Sequence, residues 1–343
     1  MSRAEATAFL RQAPVFSLCG VLEDGQPVLR TLHGVVVDDL LCFHSSPKGE
    51  KTSLLGRPVV ASAEEEVARI PSWFLDPERA CPATTLYRSV QVHGELREVA
   101  DPSQKARALQ ALMEKLQPGG GYVPITAADP RYAAQVKGLL VAGVSLERLD
   151  GKAKLAQNRS PRERTRLAQE LWRRGAPGDA RAIELLRAAN PSLELPPFLA
   201  APAGFSVHPW LPASRVEEAV ELLAGEYWND VFTRDELERA HLGATAWVGA
   251  TDGQGRLVAT ARAIADGAKH AWVYDVAVAA PARRGGLGQA VMRLLLDHPA
   301  VRGCRRVLLG TRDAQSLYAR FGFVPRAAAP PRPYPTTEMV LIR

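Results

Sequence analysis

Residues 273–296 constrain the fold more than any other part of this 343-residue chain. They read Val-Tyr-Asp-Val-Ala-Val-Ala-Ala-Pro-Ala-Arg-Arg-Gly-Gly-Leu-Gly, followed after Gln289 by the apolar run Ala290-Val291-Met292-Arg293-Leu294-Leu295-Leu296. An apolar strand thus enters a turn made almost wholly of Arg and Gly, which opens directly onto a helix. The first amides of a helix lack intrahelical partners and sit at its positive end, so the turn is an anion site. Gly286 and Gly288 let backbone approach a phosphate closely, and Arg283 and Arg284 add charge. Downstream, the short apolar strand 306–310 precedes Thr311–Phe323, where Asp313 is placed as a helix N-cap and Gly322 as a stop. An ordinary strand–turn–helix has the same outline, so the turn alone does not establish a ligand.

Taken together, the two segments resemble the GCN5-related N-acetyltransferases (GNAT). The spacing Arg283-x-x-Gly286-x-Gly288 resembles their pyrophosphate loop, and Ala314-x-x-Leu317-Tyr318-x-x-x-Gly322-Phe323 is similar to their final helix. The resemblance implies that acetyl-CoA is held by Val276, Val278, Arg283, Arg284, Gly285, Gly286, Gly288, Gln289 and Asp313. It also implies that Tyr318 protonates the departing CoA thiolate. The family usually reads Arg-Gly-Lys-Gly-x-Gly, whereas here the second basic residue is Arg284 and position 285 is Gly, which redistributes the phosphate contacts. A bulge in the strand would splay the amides of 276–278 toward a thioester carbonyl. Asp275 is the candidate base, directly or through water; the competing reading is a solvated or salt-bridged strand carboxylate, because alternation alone does not say which face it occupies.

The length exceeds one usual domain and predicts two. Four cysteines, Cys19, Cys42, Cys81 and Cys304, are scattered without a Cys-x-x-Cys pair, which argues against a zinc site or a disulfide framework. No metal site is expected. The start has no apolar signal core and no run is long enough for a membrane span, so the expected location is cytoplasmic. A formal charge of +6 favours anionic partners, phosphorylated cofactors or nucleic acid.

Residues 14–45 read as three strands, Val15–Leu22, Val28–Val36 and Leu40–His44, turning at Asp24-Gly25 and Asp38-Asp39. Ser46 is placed to cap a short helix with Pro47 at its first position. Strands follow at 59–70 and 87–99, then an amphipathic helix at Pro102–Leu116. The pattern predicts a small antiparallel barrel with appended helices. Arg30-x-Leu-x-Gly, Phe43-His44-Ser45-Ser46, Lys48-Gly-Glu-Lys51 and Tyr87-x-Ser89-Val90-x-Val92-x-Gly94 resemble the FMN-binding split barrels of the pyridoxamine-phosphate-oxidase-like group. Gly151-Lys152-Ala153-Lys154-Leu155-Ala156-Gln157-Asn158-Arg159 is similar to a signature of its PaiB-type members, with Ala156 in place of the usual Ser. The resemblance implies an FMN site made by Arg30, His44, Ser45, Lys51, Ser89, Lys154, Gln157 and Asn158, and a homodimer through the barrel. The competing reading is a barrel whose solvated face carries these cations.

Between Lys152 and Arg187 the chain is strongly basic. A solvated helical face explains this better than a nucleic-acid footprint, since no recognition motif or interleaved aromatics accompany it. Asn190-Pro191, Pro196-Pro197 and Ala200–Gly204 read as a stiff linker. The expected division is therefore 1–190 barrel, 191–204 linker and 205–343 transferase. In the last part, Ser214-x-x-Glu217 and Thr233-x-x-Glu236 are capping-box signatures, strands are expected at 205–208, 245–250, 256–265 and 270–279, and a final strand at Thr337–Ile342. Tyr227-Trp228 and Trp247 read first as packing aromatics, although the GNAT fold places its acceptor pocket around 227–232.

The fold class expected is an antiparallel β split barrel with helices followed by an α/β (α+β) GNAT fold with a mixed sheet. The expected function is acetyl-CoA-dependent acetyl transfer to a small-molecule or peptide amine, fused to a flavin-binding domain. The alternatives are a flavin- or DNA-binding regulator whose second half senses acetyl-CoA, and a flavin-dependent oxidoreductase.

Overall fold

A computed structural model of the chain describes residues 1–329, so the strand expected at 337–342 lies outside the described residues. Two compact units divide between Asn158 and Arg159.

The first unit begins with α1 (Arg3–Gln12), set by a capping box in which the Ser2 hydroxyl accepts from the Glu5 amide and the Glu5 carboxylate from the Ser2 amide. Its strands are β1 (Phe16–Val21), β2 (Pro27–Leu32), β3 (Val35–Val37), β4 (Leu40–Ser45), β5 (Pro58–Ile70), β6 (Thr84–Glu95), β7 (Arg97–Glu98), β8 (Leu140–Ser145) and β9 (Arg148–Lys154). One sheet has the order β2-β1-β5-β6-β9 and the other β3-β4-β8-β7, with every pairing antiparallel. Along β6 the alternation works as physical chemistry requires: Val90 and Val92 are buried while Gln91 is exposed. Phe16, Leu18, Phe43, Leu54 and Leu96 complete the core between the sheets. The helix α2 (Pro102–Leu116), capped by Asp101, buries Ala106, Leu109 and Leu112, and a short α3 (Ala133–Gly138) packs beside it.

Two local expectations are corrected. The stretch 28–36 is not one strand: β2 ends at Leu32 and β3 starts at Val35 in the other sheet. The corner between them needs glycine, because a Cβ on Gly34 would lie 2.0 Å from the Phe16 ring. Ser46 caps no helix; its hydroxyl accepts from the Lys48 amide inside a turn, and a 3-10 helix begins only at Glu50, after Gly49.

The second unit opens with α4 (Pro161–Arg174) and α5 (Asp179–Ala189), then β10 (Phe205–His208), α6 (Val216–Leu222) and α7 (Arg234–Leu242). The strands β11 (Ala246–Asp252), β12 (Leu257–Ala265) and β13 (His270–Val278) follow, then α8 (Leu287–Asp297), α9 (Pro299–Arg302), β14 (Arg306–Leu308) and α10 (Gln315–Ala319). The sheet order is β10-β11-β12-β13-β14, antiparallel except for the parallel pair β13–β14. The helix α8 buries Leu287, Ala290, Val291, Met292, Leu294 and Leu295 and packs on β11 and β12. At about 1.5–3 kcal/mol for each fully buried large aliphatic side chain, this face anchors the helix whose first turn carries the glycines. Thr233 and Glu236 form the expected capping box of α7, but Ser214 and Glu217 do not: α6 starts at Val216 behind a 3-10 turn.

The stretch 159–190, expected with the barrel, belongs to the second unit, and so does the expected linker. The arginine-rich composition conceals two amphipathic helices, which bury Leu167, Leu171 and Trp172, and Ala182, Ile183 and Leu186. The Trp172 ring stacks on Phe198 with centroids 4.6 Å apart, and its indole N–H donates to Asp297 at 2.6 Å. Phe198 lies in the proline-rich stretch 196–202, so those prolines brace packing instead of spacing two domains. Arg159, Arg173 and Arg174 pair with Glu163, Glu170 and Asp179 respectively, and Arg187 donates to the Val207 carbonyl, so much of the basic run is internally engaged. Among the described residues no helix is long and apolar enough to cross a membrane, and no three His, Cys, Asp or Glu side chains gather as a metal-ligand set.

His298 provides a test of this packing. It lies at the N-terminus of α9, where its Nδ1 accepts from the Ala300 amide and its ring meets Trp172 edge-on at 5.5 Å. Burial, aided by Arg302, pushes its pKa down to about 4. The unfolded chain therefore binds this proton first, so stability is fully present above about pH 6.5 and is lost as pH falls toward about 4. The loss should reach about 3 kcal/mol. Thermal unfolding measured across this range should show that decline, and His298→Asn, which keeps an acceptor for Ala300, should flatten it; an equally steep profile in the variant would assign the decline to other groups.

Candidate functional site

A cleft of about 1020 Å³ opens over β13 in the second unit. Its floor is that strand, where Trp272 and Tyr274 stack with centroids 6.1 Å apart on the exposed face and Val276 and Val278, beyond a bulge, also line the cleft. Opposite Ala261 the strand accommodates one extra residue: Arg262 pairs with Tyr274 but Thr260 pairs with Ala277, so a bulge falls at Asp275–Val276. Asp275 has φ of +52°, a left-handed conformation that Asp tolerates better than most residues. Its carboxylate is buried and accepts from Arg262 Nε at 2.5 Å, and the Arg262 guanidinium, opposite Tyr274 in the register, also covers the Tyr274 ring at 4.9 Å. Beside the pair, His241 is buried, with Nδ1 at 2.8 Å from the Leu237 carbonyl; burial lowers its pKa, so the ring is neutral.

The glycine-rich turn closes one end of the cleft. Arg284 and Gly286 both have positive φ, +68° and +84°, and Gly286 occupies the N-cap of α8, leaving the first-turn amides of Leu287, Gly288 and Gln289 without intrahelical acceptors. Gly285 has no neighbour within 4 Å of where a Cβ would stand, so this backbone is open. Arg283 donates through Nε to the Val278 carbonyl at 2.8 Å and lies 3.2 Å from a Glu226 carboxylate oxygen.

At the other end stands Tyr318, buried and edge-on to Phe323, its hydroxyl pKa raised by burial and further by Tyr227 and Asp313. Asp313 does not cap α10. That helix begins at Gln315 behind Ala314, whose amide donates to the Thr311 hydroxyl, and the Asp313 side chain is mostly exposed, 3.5 Å from Arg312. Gly322 does end the segment, with φ of +85°. The loop 226–232 roofs the cleft: the Tyr227 hydroxyl accepts from the Arg312 amide at 2.9 Å, and the Arg312 guanidinium lies 3.7 Å above the Tyr227 ring. Val276, Val278, Arg283, Gly288, Asp313 and Tyr318 all line this one cavity, while Arg284, Gly285, Gly286 and Gln289 sit in the adjoining turn.

Sequence reasoning missed Arg262, Glu226, Trp272 and Tyr274. The available signals were an arginine inside the otherwise apolar run 257–265 and aromatics alternating with Val276 and Val278.

In the first unit the residues expected to hold a flavin form two groups. Arg30 pairs with Glu50, which places it beside the 3-10 helix that carries Lys51, downstream of His44 and Ser45 at the end of β4. Ser89, opposite Lys152, and Lys154, opposite Tyr87, lie on β6 and β9. Lys154 donates to the Thr84 hydroxyl at 2.6 Å and stands over the Tyr87 ring. Ala156, with φ of +64°, sharpens the following turn, and the Gln157 side chain is spent on that turn, accepting from Leu155 and donating to Ala153. Asn158 follows, exposed. Arg30 and Lys154 are on the opposite edge strands of one five-stranded sheet, about 19 Å apart along it at the usual interstrand spacing.

The class of each unit follows from this geometry: an antiparallel split barrel, then a mixed-sheet domain with a bulged strand, a glycine-rich helix start and a cleft between them. Residues 2–153 match the family described as Pyridoxamine 5'-phosphate oxidase, and residues 213–323 match the Acetyltransferase (GNAT) family. The chain thus joins a pyridoxamine 5'-phosphate oxidase-like domain to a GNAT domain. Over 53 residues it is 45% identical to glucosamine 6-phosphate N-acetyltransferase 1 of Oryza sativa subsp. japonica, a match covering 15% of this chain and 32% of that protein. Among solved structures, an FAD and heme binding protein of Mycobacterium smegmatis aligns at 19% identity and a TM-score of 0.38, over 45% of this chain and 71% of that one. A GNAT-family protein of Xanthomonas campestris pv. campestris aligns at 29% identity and a TM-score of 0.33, over 39% of this chain and 96% of that one.

Proposed function

We propose that the second unit transfers the acetyl group of acetyl-CoA to an amine. The observation that carries this reading is a single cavity that joins the glycine-rich helix start, the bulged strand and Tyr318. The pyrophosphate rests on the amides of 286–289 with Arg283 and Arg284 alongside. The amides of Val276 and Val278 polarise the thioester carbonyl, the amine nitrogen forms the new C–N bond, and the C–S bond breaks. Tyr318, kept protonated by its burial, donates to the leaving thiolate. Asp275 has Oδ2 engaged by Arg262; it receives the ammonium proton through water at Oδ1, and its ion pair holds the bulge in place.

The first unit, on this proposal, holds a flavin, with FMN as the expected form. The separation of Arg30 and Lys51 from Ser89, Lys154 and Asn158 supports a site closed by two copies of the chain, each contributing one group. Supplied by the flavin, redox chemistry would reside there; the chain's own part is to bind the phosphate through Arg30 and Lys51, which requires Arg30 to exchange Glu50 for the phosphate.

Both halves are testable on the full-length protein. Mixed primary amines should trigger release of free CoA thiol from acetyl-CoA, and micromolar FMN fluorescence should be quenched on titration. No thiol release together with no calorimetric heat from acetyl-CoA would reject the transferase reading. Unquenched FMN and FAD would reject the flavin.

A further inference from the structure

The roof of the cleft holds two donors with nothing to donate to. Asn229 is 8% exposed, and its Nδ2, like the indole Nε1 of Trp228, is buried without a hydrogen-bond partner among the described residues. Both residues line the cavity. A buried unpaired donor costs on the order of 1–3 kcal/mol, and two adjacent ones at the wall of a cavity point to a ligand that brings acceptors. The charges around them are already matched: Arg262 with Asp275, Arg283 with Glu226 and Arg312 with Asp313. The unpaired groups of the roof are therefore neutral donors. The rest of the wall is aromatic, with Trp272 and Tyr274 stacked and 42% and 37% exposed and Phe232 at 53%. Burial of such surface rewards a flat apolar group.

We infer that Trp228 and Asn229 are specificity-determining residues for the acceptor, which is an amine on an aromatic scaffold carrying an uncharged carbonyl oxygen, the chemistry of an aromatic amino-acid amide or an aromatic peptide N-terminus. This rests on the acetyl-transfer reading and narrows it. A phosphorylated acceptor fits less well, because Arg283 and Arg284 serve the pyrophosphate in that reading and Arg262 and Arg312 are held by Asp275 and Asp313. A site built to hydrogen-bond an oxygen discriminates strongly against the analogue that lacks it, since its own donors are then left unpaired.

The test uses phenylalaninamide, phenethylamine and glucosamine 6-phosphate with the full-length protein, reading both binding, by quenching of tryptophan fluorescence, and CoA thiol release. Wild type should favour phenylalaninamide over phenethylamine by about 10- to 100-fold in kcat/KM and in affinity. Trp228→Phe, which keeps the ring and removes only the N–H, and Asn229→Leu should each shrink that ratio several-fold while changing phenethylamine little. Equal use of the two amines by wild type, preference for glucosamine 6-phosphate, or variants that lower both amines alike would overturn the inference. The wild-type comparison stands even if a variant unfolds. Selective amide binding without any thiol release would preserve the inference about the two donors and sink the transferase reading instead.

Discussion

Replacing Tyr318 by Phe should lower kcat by about 100-fold or more while leaving the KM for acetyl-CoA nearly unchanged, because the hydroxyl acts mainly as the thiolate departs. The ring's packing against Phe323 survives the change, so little stability should be lost. Burial raises the pKa of this hydroxyl above the ordinary tyrosine value, with Tyr227 and Asp313 adding to the shift. The proton is thus retained at neutral and mildly alkaline pH, and any fall in rate through loss of the acid should come only above about pH 10. Steady-state rates across pH, with chemistry shown to be rate-limiting, check both points. An unchanged kcat in the variant would return Tyr318 to the core.

The second large effect is expected at Gly286. Its φ of +84° is one that a β-branched residue adopts only under strain, yet the nearest atom to an added Cβ is Pro202 Cγ at 3.9 Å. Gly286→Val should therefore fold, with a strain cost of roughly 1–3 kcal/mol, but should weaken acetyl-CoA binding by more than about 100-fold by displacing the amides that meet the pyrophosphate. Gly288→Val separates the two contributions. Position 288 has no positive φ and a Cβ there meets Val278 Cγ2 at 3.5 Å, an ordinary contact, so stability should hold while affinity falls. Calorimetry and thermal unfolding of both variants decide the matter. Wild-type affinity in both would remove the anion site from this turn.

What could be read from the chain alone was what local chemistry dictates. The extent of α2 followed from an amphipathic period, the α7 cap from Thr233 and Glu236, and the turn into α8 from the glycines after an apolar strand. Each depends on residues within a few positions of one another. Where the contact was distant, the sequence was silent or misleading. Ser46, Ser214 and Asp313 each carry a good capping side chain, but the backbone begins its helix a residue or more later, where the neighbouring packing allows. The arginines of 159–187 read as a charged edge until Trp172 met Phe198 and Asp297.

Only tertiary structure could decide the face of Asp275, because a bulge changes the strand's phase and the partner, Arg262, comes from the neighbouring strand. The same holds for the unpaired donors of Trp228 and Asn229, since what a side chain lacks depends on every element that packs around it. Residue types and their short spacings thus determine which elements form and which chemistry the chain carries. Burial and pairing across elements distant in sequence determine where that chemistry points.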